Sequence, residues 1–143
     1  MSYRFLEDIA TADVAFEAWG ETREEVFIAC SSALLATMVD EPDLVGRDRE
    51  LAISLEHAEL DLLLYSFLAE LVFLKDARRL LLHADTLTIG GEAGGYHLEA
   101  LLRGEEIAPE RHRLLVDVKA VTLHRLRVAC EDDVWRATVV LDI

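Results

Sequence analysis

Hydrophobic and polar residues alternate in several short stretches of this chain, and two longer stretches repeat apolar residues at helical spacing. Period-two alternation indicates a strand with one buried face, whereas apolar residues three and four apart indicate a helix. The alternating stretches predict strands over Asp13–Trp19, Glu50–Glu56, Leu80–Ile89, Tyr96–Arg103, Asp117–Cys130 and Trp135–Leu141. The helical stretches predict a first helix from Thr22 to the Asp40–Pro42 segment and a second over Glu59–Asp76.

Local signals mark where the predicted elements begin and end. Thr22 and Glu25 have the spacing of a capping box, in which the hydroxyl accepts the Glu25 amide and the carboxylate reaches back to the threonine amide. The second helix is apolar most of the way round, which predicts that it is the more buried of the two. The segment Gly90–Gly95 joins two predicted strands and precedes no helix, so we interpret it as a hairpin turn rather than a phosphate-binding loop.

The predicted elements follow the order β-α-β-α-β-β-β-β along the chain. This order is typical of an α+β fold, in which helices cover one face of a sheet. We therefore expect one domain over residues 1–143, with two helices packed on one face of a largely antiparallel or mixed sheet. A chain of 143 residues of which 52% are apolar is long enough and apolar enough to bury one such core.

The net charge of the chain limits the classes of partner that it is expected to bind. With 28 acidic and 14 basic residues the net charge is −14, and an acidic surface repels phosphate backbones, so strong direct nucleic-acid binding is not expected. The same charge suits basic protein partners or hydrated cations, although acidity that serves only solubility is the simpler interpretation. No signal peptide is visible, and the most apolar stretch is too short to cross a bilayer, so we expect a cytoplasmic protein without membrane contact.

The end of the chain carries the first candidate for chemistry. Asp142 precedes the free carboxylate of Ile143, so two negative charges meet at the end of the last predicted strand. Such charges are either solvated or compensated by a cation. Calcium, magnesium and manganese all favour such oxygen ligands. Asp13, at the start of the first predicted strand, is a second candidate, although an aspartate there also serves simply to bond nearby amides.

Lys119 is the third candidate, because a lysine among the apolar residues of a predicted strand either faces solvent or pairs with a carboxylate. His124, five residues further on, lies on the opposite face of that strand by simple alternation. His112 lies in the polar connection Gly104–Leu115, just before Lys119, and is the exception among histidines that otherwise show no ligand spacing. No Ser-His-Asp or Cys-His arrangement indicates a nucleophilic enzyme.

Several segments in a fixed order resemble the archease family. They are Thr11–Val14 near the start, Gly104-Glu105, His112, Val118–Thr122 followed by His124, and Leu141–Ile143 at the end. Each short segment alone is common, but all of them in this order across the whole chain are specific. The chain departs from the family pattern where Ala10 replaces a histidine, where Val116-Asp117 replaces Thr-Glu, and where Ala69 replaces an asparagine of the middle helix.

The resemblance implies a function and a set of residues. Archease proteins are not ligases themselves but protein cofactors of the RtcB-family RNA ligase of tRNA splicing and RNA repair, whose guanylylation and turnover they promote. Carried over to this chain, the family's metal site implies Asp13, Asp142 and Ile143 as ligands of a divalent ion, calcium in the first place and magnesium or manganese as alternatives. The further positions that we associate with activity or partner binding are Lys119, His112, Glu105 and His124.

Two other functions remain open on the sequence. One is a metal-dependent hydrolase or phosphotransferase that uses Asp13, Asp142 and Lys119 itself, although the lack of a nucleophile and of a phosphate loop argues against it. The other is a chaperone-like scaffold whose acidic surface binds RNA-processing enzymes. Turnover of nucleotides or RNA by the purified protein would indicate the first, and capture of partners other than an RNA ligase would indicate the second.

Overall fold

The computed structural model describes residues 1–7 and 13–143, which form two α-helices and eight strands. The helices are α1 (Arg23–Met38) and α2 (Leu60–Arg78), and a short 3-10 helix covers Pro42–Leu44. The strands are β1 (Ser2–Leu6), β2 (Asp13–Gly20), β3 (Arg49–His57), β4 (Leu80–Glu92), β5 (Gly95–Glu106), β6 (Ala120–Val121), β7 (Arg127–Glu131) and β8 (Val134–Asp142). The predicted α+β class is confirmed. The motif residues Thr11 and Ala12 and the substituted Ala10 lie outside the described residues.

The strands form two antiparallel sheets rather than the single sheet that the order of elements predicted. One sheet contains β1, β2, β8, β6 and β7, and the other contains β3, β5 and β4. Each helix contacts both sheets, and Phe16 of β2, Phe67 of α2 and Leu102 of β5 are fully buried in one shared core. Two sheets form because the helices have wide apolar surfaces, and a helix that is apolar on two sides must be covered on two sides. Neither helix is long and apolar enough, over the described residues, to cross a membrane.

The start of α1 follows the predicted capping box in one half only. Thr22 Oγ1 accepts the amide of Glu25 at 3.1 Å, as predicted. The Glu25 carboxylate does not return to Thr22 but accepts the amide of Glu21 at 3.4 Å, and it lies 3.4 Å from the amino group of Met1. The carboxylate therefore ties the N-terminal strand to the start of the helix instead of closing the box.

Two strand boundaries differ from the prediction. Strands β4 and β5 stay paired as far as Glu92 and Gly95, so the hairpin turn is two residues long and is closed by Gly94 with a φ of 99°. The long strand predicted over Asp117–Cys130 is divided into β6 and β7, both of which pair with β8. Between them Arg125 has a φ of 56°, and the chain leaves the ladder in a turn. Residues between β6 and β7 therefore do not alternate between the faces of a sheet.

Candidate functional site

The first residue of β2 and the last residue of β8 face each other across an antiparallel pair. Asp13 is the register partner of Asp142, and Ala120 of β6 is the partner of Asp142 on the other side. The amide of Lys119 donates to the main-chain carbonyl of Asp142 at 2.8 Å. Three segments that are distant in the sequence thus meet at one end of the five-stranded sheet, which we call the acidic tip (Asp13, Lys119, Asp142 and Ile143).

The acidic tip places two aspartates of like charge directly opposite each other on neighbouring strands. Directly opposed residues of an antiparallel pair have Cβ atoms about 4.5–5.5 Å apart, and like charges at that spacing repel. Among the described residues, neither Asp13 nor Asp142 forms an ion pair with a lysine, arginine or histidine, Lys119 included. Asp142 and Lys119 are exposed and Asp13 is half-buried. A cation bound between the two carboxylates would relieve their repulsion.

The side chains of the tip fit a hard divalent cation in type but do not complete its ligand set. Calcium and magnesium prefer oxygen ligands, and calcium takes about six to eight of them. Across residues 1–7 and 13–143, no three His, Cys, Asp or Glu side chains lie together as a metal site. Asp13 and Asp142 supply two side-chain ligands, so further oxygens would come from main-chain groups or water. Ile143 is partly buried and packs against the core, and its role as a third ligand stays a prediction.

Glu105 and His112 form a buried pair at the start of the segment that leads to the tip. Strand β5 extends to Glu106, so Glu105 lies in a strand rather than in the predicted connection. The amide of Ala108 donates to His112 Nδ1 at 2.9 Å, which leaves the ring proton on Nε2, and Nε2 donates to Glu105 Oε1. Arg111 Nη2 donates to the same carboxylate oxygen. We call these three side chains the Glu105 cluster (Glu105, Arg111 and His112).

Hydrogen bonds and opposite charge keep the buried carboxylate of Glu105 ionised. Burial raises the pKa of the Glu105 carboxyl, but the hydrogen bonds from His112 and Arg111 and the positive charge of Arg111 outweigh burial and hold the pKa below its ordinary value of 4.5. Only 7% of Glu105 and 5% of His112 is exposed. Neither side chain is open to the surface of a partner, so we interpret both as supports of the following segment rather than as contact residues.

His124 lies in the turn between β6 and β7, so its predicted place on a strand face opposite Lys119 is wrong. The His124 side chain is exposed, and its amide donates to Thr122 Oγ1 at 3.3 Å. Thr122 Oγ1 in turn donates to the Val140 carbonyl at 2.9 Å. The turn is therefore attached to β8 close to the tip, with His124 facing solvent.

The structure adds one residue that the sequence analysis did not select. Lys75 of α2 is only 5% exposed. Its Nζ bonds Asp117 Oδ1 at 2.5 Å and the Val118 carbonyl at 2.7 Å, and it lies 2.8 Å from Asp76 Oδ1. Burial lowers the pKa of Lys75, but the hydrogen bonds and charges of Asp117 and Asp76 outweigh burial and raise the pKa above its usual value. The sequence signal was a lysine four residues after Leu71, within the apolar stripe of a buried helix.

A shallow apolar groove of about 430 Å³ lies beside the acidic tip. Asp13 and Glu7 line it together with the apolar side chains of Phe5, Leu115 and Val116. These three apolar residues are 44%, 50% and 39% exposed. Exposed apolar groups next to carboxylates suit a protein surface that combines apolar and basic side chains.

Comparison with known proteins places this chain in a family. It matches the Archease protein family over residues 3–143. A Protein archease of Methanosarcina mazei is 34% identical over 142 residues, which are 99% of this chain and 95% of the relative. A Protein archease of Pyrococcus furiosus is 35% identical over 134 residues, which are 93% of this chain and 94% of the relative.

Solved structures agree with this assignment. The solution structure of Protein 1598 of Methanobacterium thermoautotrophicum superposes with a TM-score of 0.85 at 34% identity and covers 99% of this chain and 98% of that chain. The crystal structure of an archease, possible chaperone, from Thermotoga maritima superposes with a TM-score of 0.65 over 98% of both chains. The identity to the latter is 20%, so this likeness shows the fold alone. The resemblance seen in the sequence is confirmed, and the chain belongs to the archease family.

Proposed function

We propose that this chain is an accessory protein that activates an RtcB-family RNA ligase, by promoting its guanylylation and turnover in tRNA splicing or RNA repair. In this proposal the acidic tip binds a divalent cation through Asp13 and Asp142, calcium first and magnesium or manganese as alternatives. The observation that carries the proposal is the direct opposition of these two carboxylates, with the Lys119 amide bound to the same end of β8. A cation is the simplest group that relieves their repulsion.

The surroundings of the tip favour docking on a basic partner. A net charge of −14 attracts a basic nucleotide-binding cleft and speeds the encounter of the two proteins. The groove lined by Phe5, Leu115 and Val116 supplies apolar contact area next to the carboxylates. A divalent ion close to a phosphoryl-transfer centre neutralises the negative charge that develops there. Lys119, exposed at the tip, is the side chain that we expect to reach the partner's site.

We also propose that the chain is not itself an enzyme. His112 is buried and bonded to Glu105, and Cys30 is buried, which raises the pKa of its thiol, so neither is available as an exposed base or nucleophile. Membership of the archease family suits an accessory role. Turnover of nucleotides or RNA by the purified protein alone would replace this proposal with the enzymatic one.

The test removes one carboxylate of the tip at a time. Asp13→Ala and Asp142→Ala should each reduce stimulation of ligase guanylylation by about tenfold or more, because losing even an outer-shell partner of a metal costs about 10–100-fold. Glu99→Ala is the matched control, since it removes an exposed carboxylate from β5 in the other sheet and should leave stimulation unchanged. The readout is radiolabelled guanylate on the ligase, with thermal unfolding of every variant to verify its fold.

The same variants test whether a metal is involved. Calorimetric titration of the wild-type protein with Ca²⁺, Mg²⁺ or Mn²⁺ should show binding that Asp142→Ala abolishes. One residue added after Ile143 moves the terminal carboxylate and tests the predicted third ligand. Undiminished stimulation in both aspartate variants would contradict the proposal, whereas stimulation without any metal binding would remove the cation from it and keep the accessory role.

A further inference from the structure

The peptide group between Val118 and Lys119 is held at both of its polar ends. Its carbonyl oxygen, which belongs to Val118, accepts a hydrogen bond from Lys75 Nζ at 2.7 Å. Its amide, which belongs to Lys119, donates to the carbonyl of Asp142 at 2.8 Å. Because a peptide group is planar and rigid, this one unit connects α2 directly to the acidic tip.

Each N–H donor of the Lys75 ammonium group has a neighbouring oxygen as its acceptor. An ammonium has three N–H donors. Three oxygens surround it, one each from Asp117, Val118 and Asp76. With the side chain 5% exposed, these protein oxygens take the place of water. The two carboxylates compensate the charge, so the contact that orients the main chain is the one to the Val118 carbonyl.

The strand that follows this peptide is too short to hold it in place. Strand β6 consists only of Ala120 and Val121, and Val118 before it is fully buried. A buried carbonyl without a donor is unfavourable, so removing the ammonium favours rotation of the peptide away from its position. A charged donor also polarises the peptide group and strengthens the hydrogen bond of the amide at its other end.

We infer that Lys75 is a positioning residue for the acidic tip, because by fixing the 118–119 peptide it sets where Lys119 lies relative to Asp142. The structural part of this inference is that Lys75 fixes the 118–119 peptide. Its functional part, that this fixed position matters for ligase stimulation, rests on the proposed activation of a ligase. Lys75 is buried and cannot touch a partner, so it acts through Lys119 and the end of β8.

Amide hydrogen exchange, measured by NMR on the full chain, tests the structural part. Lys75→Met keeps an apolar stem of similar length but removes the ammonium. We expect the exchange rate of the Lys119 amide, divided by that of the Phe16 amide in β2, to rise about tenfold or more, because the peptide opens locally once it is released. An unchanged ratio, or an equal rise at both amides, overturns the inference, since the second result means only a general loss of stability.

Two further variants make this test specific. Asp76→Ala removes another contact of the same ammonium without touching the 118–119 peptide, so its exchange ratio should stay within about twofold of wild type. Lys75→Arg decides the question where Lys75→Met does not fold, because it keeps a cation with several donors. A wild-type ratio in Lys75→Arg supports the inference, and a ratio raised about tenfold in that variant overturns it.

Ligase stimulation tests the functional part. Since Lys75 does not touch the partner, Lys75→Met should lower maximal stimulation about threefold or more and leave the concentration for half-maximal stimulation unchanged. A change confined to that concentration would overturn the positioning role. If the wild-type protein stimulates no ligase, the proposed function fails, while hydrogen exchange still decides whether Lys75 positions the tip.

Discussion

At the acidic tip two like charges, Asp13 and Asp142, face each other near solvent, whereas in the Glu105 cluster one buried carboxylate is held by a histidine and an arginine. Groups of opposite charge satisfy each other inside the protein and thereby fix a conformation. Like charges at the surface do not satisfy each other, so they remain available to a cation or to a basic partner. The buried Glu105 cluster, whose charges are opposite, thus supports the structure. The exposed acidic tip, whose charges are alike, is the part that we expect to bind a cation or a partner.

One segment, residues 107–119, connects the two clusters. The Glu105 cluster holds its start. In its middle the Leu115 amide donates to the Met38 carbonyl at 2.9 Å, and near its end Lys75 binds the Val118 carbonyl. The position of the tip therefore depends on three buried polar side chains, those of Lys75, Glu105 and His112. The predictions below test this division between the clusters.

The largest expected effect on stability comes from the Glu105 cluster. Glu105→Ala leaves the buried Nε2–H of His112 without an acceptor, and breaking a buried pair of this kind lowers the free energy of unfolding by about 2–4 kcal/mol. Asp142→Ala removes an exposed carboxylate and should change the same free energy by less than about 0.5 kcal/mol. Urea denaturation measures both. Equal losses of unfolding free energy in the two variants would show that the Glu105 cluster supports the fold no more than the acidic tip does.

A smaller loss is expected from Gly46→Ala. Gly46 packs beside the Glu105 carboxylate, and an added Cβ would overlap Oε2. Because Arg111 and His112 hold Oε1 of the same carboxylate, the side chain cannot move away freely, and we expect a loss of about 1–2 kcal/mol in the free energy of unfolding.

Two comparisons sharpen the Gly46 test. Gly95→Ala is the control, because nothing lies within 4 Å of an added Cβ there, and it should be close to neutral. In a Glu105→Ala background Gly46→Ala should cost nothing further, since the overlapping group is gone. Additive losses in the double variant would mean that the Gly46 effect does not act through Glu105.

The smallest effect is a pH dependence in the acid range. The pKa of Glu105 in the folded protein lies below its ordinary value of 4.5. Its ionised form therefore stabilises the fold above that pH, and this contribution is lost as the pH falls through the folded-state pKa. The difference in unfolding free energy between wild type and Glu105→Gln, which does not titrate, should be constant at higher pH and shrink in acid. A difference that does not change with pH would show that the charge of Glu105 contributes nothing.

Much of the architecture was predictable from local patterns. The pattern predicts the second helix over Glu59–Asp76, and it is observed at Leu60–Arg78, since the stretch is long, apolar and free of proline and glycine. The prediction that it is the more buried helix is wrong, because nine of its 19 residues are buried against ten of 16 in α1. Strand β1 was missed because Ser2–Leu6 is short and has no clear alternation. The division of the strand over Asp117–Cys130 was missed because nothing in its apolar pattern marks the turn that interrupts it.

The candidate site was predictable only in part. The resemblance to the archease family pointed to Asp13 and Asp142, and their register partnership agrees with a shared site without testing its metal. Glu105 and His112 were selected as activity residues, but their burial indicates a supporting role. Lys75 was not selected, because a single lysine in an apolar helix does not reveal which carbonyl or carboxylate it will meet.

The α+β class, the course of the helices and hairpins, the acidic charge and the family all follow from the order of the residues along the chain. The pairing of Asp13 with Asp142, the burial of the Glu105 carboxylate and the contact of Lys75 with the peptide before Lys119 do not, and they are known only from the folded chain. The physical reason is that periodicity and capping are local properties, which nearby residues express on their own. Strand register and the partners of a buried charge depend instead on contacts between residues far apart in the chain, which exist only after the helices and both sheets have packed together.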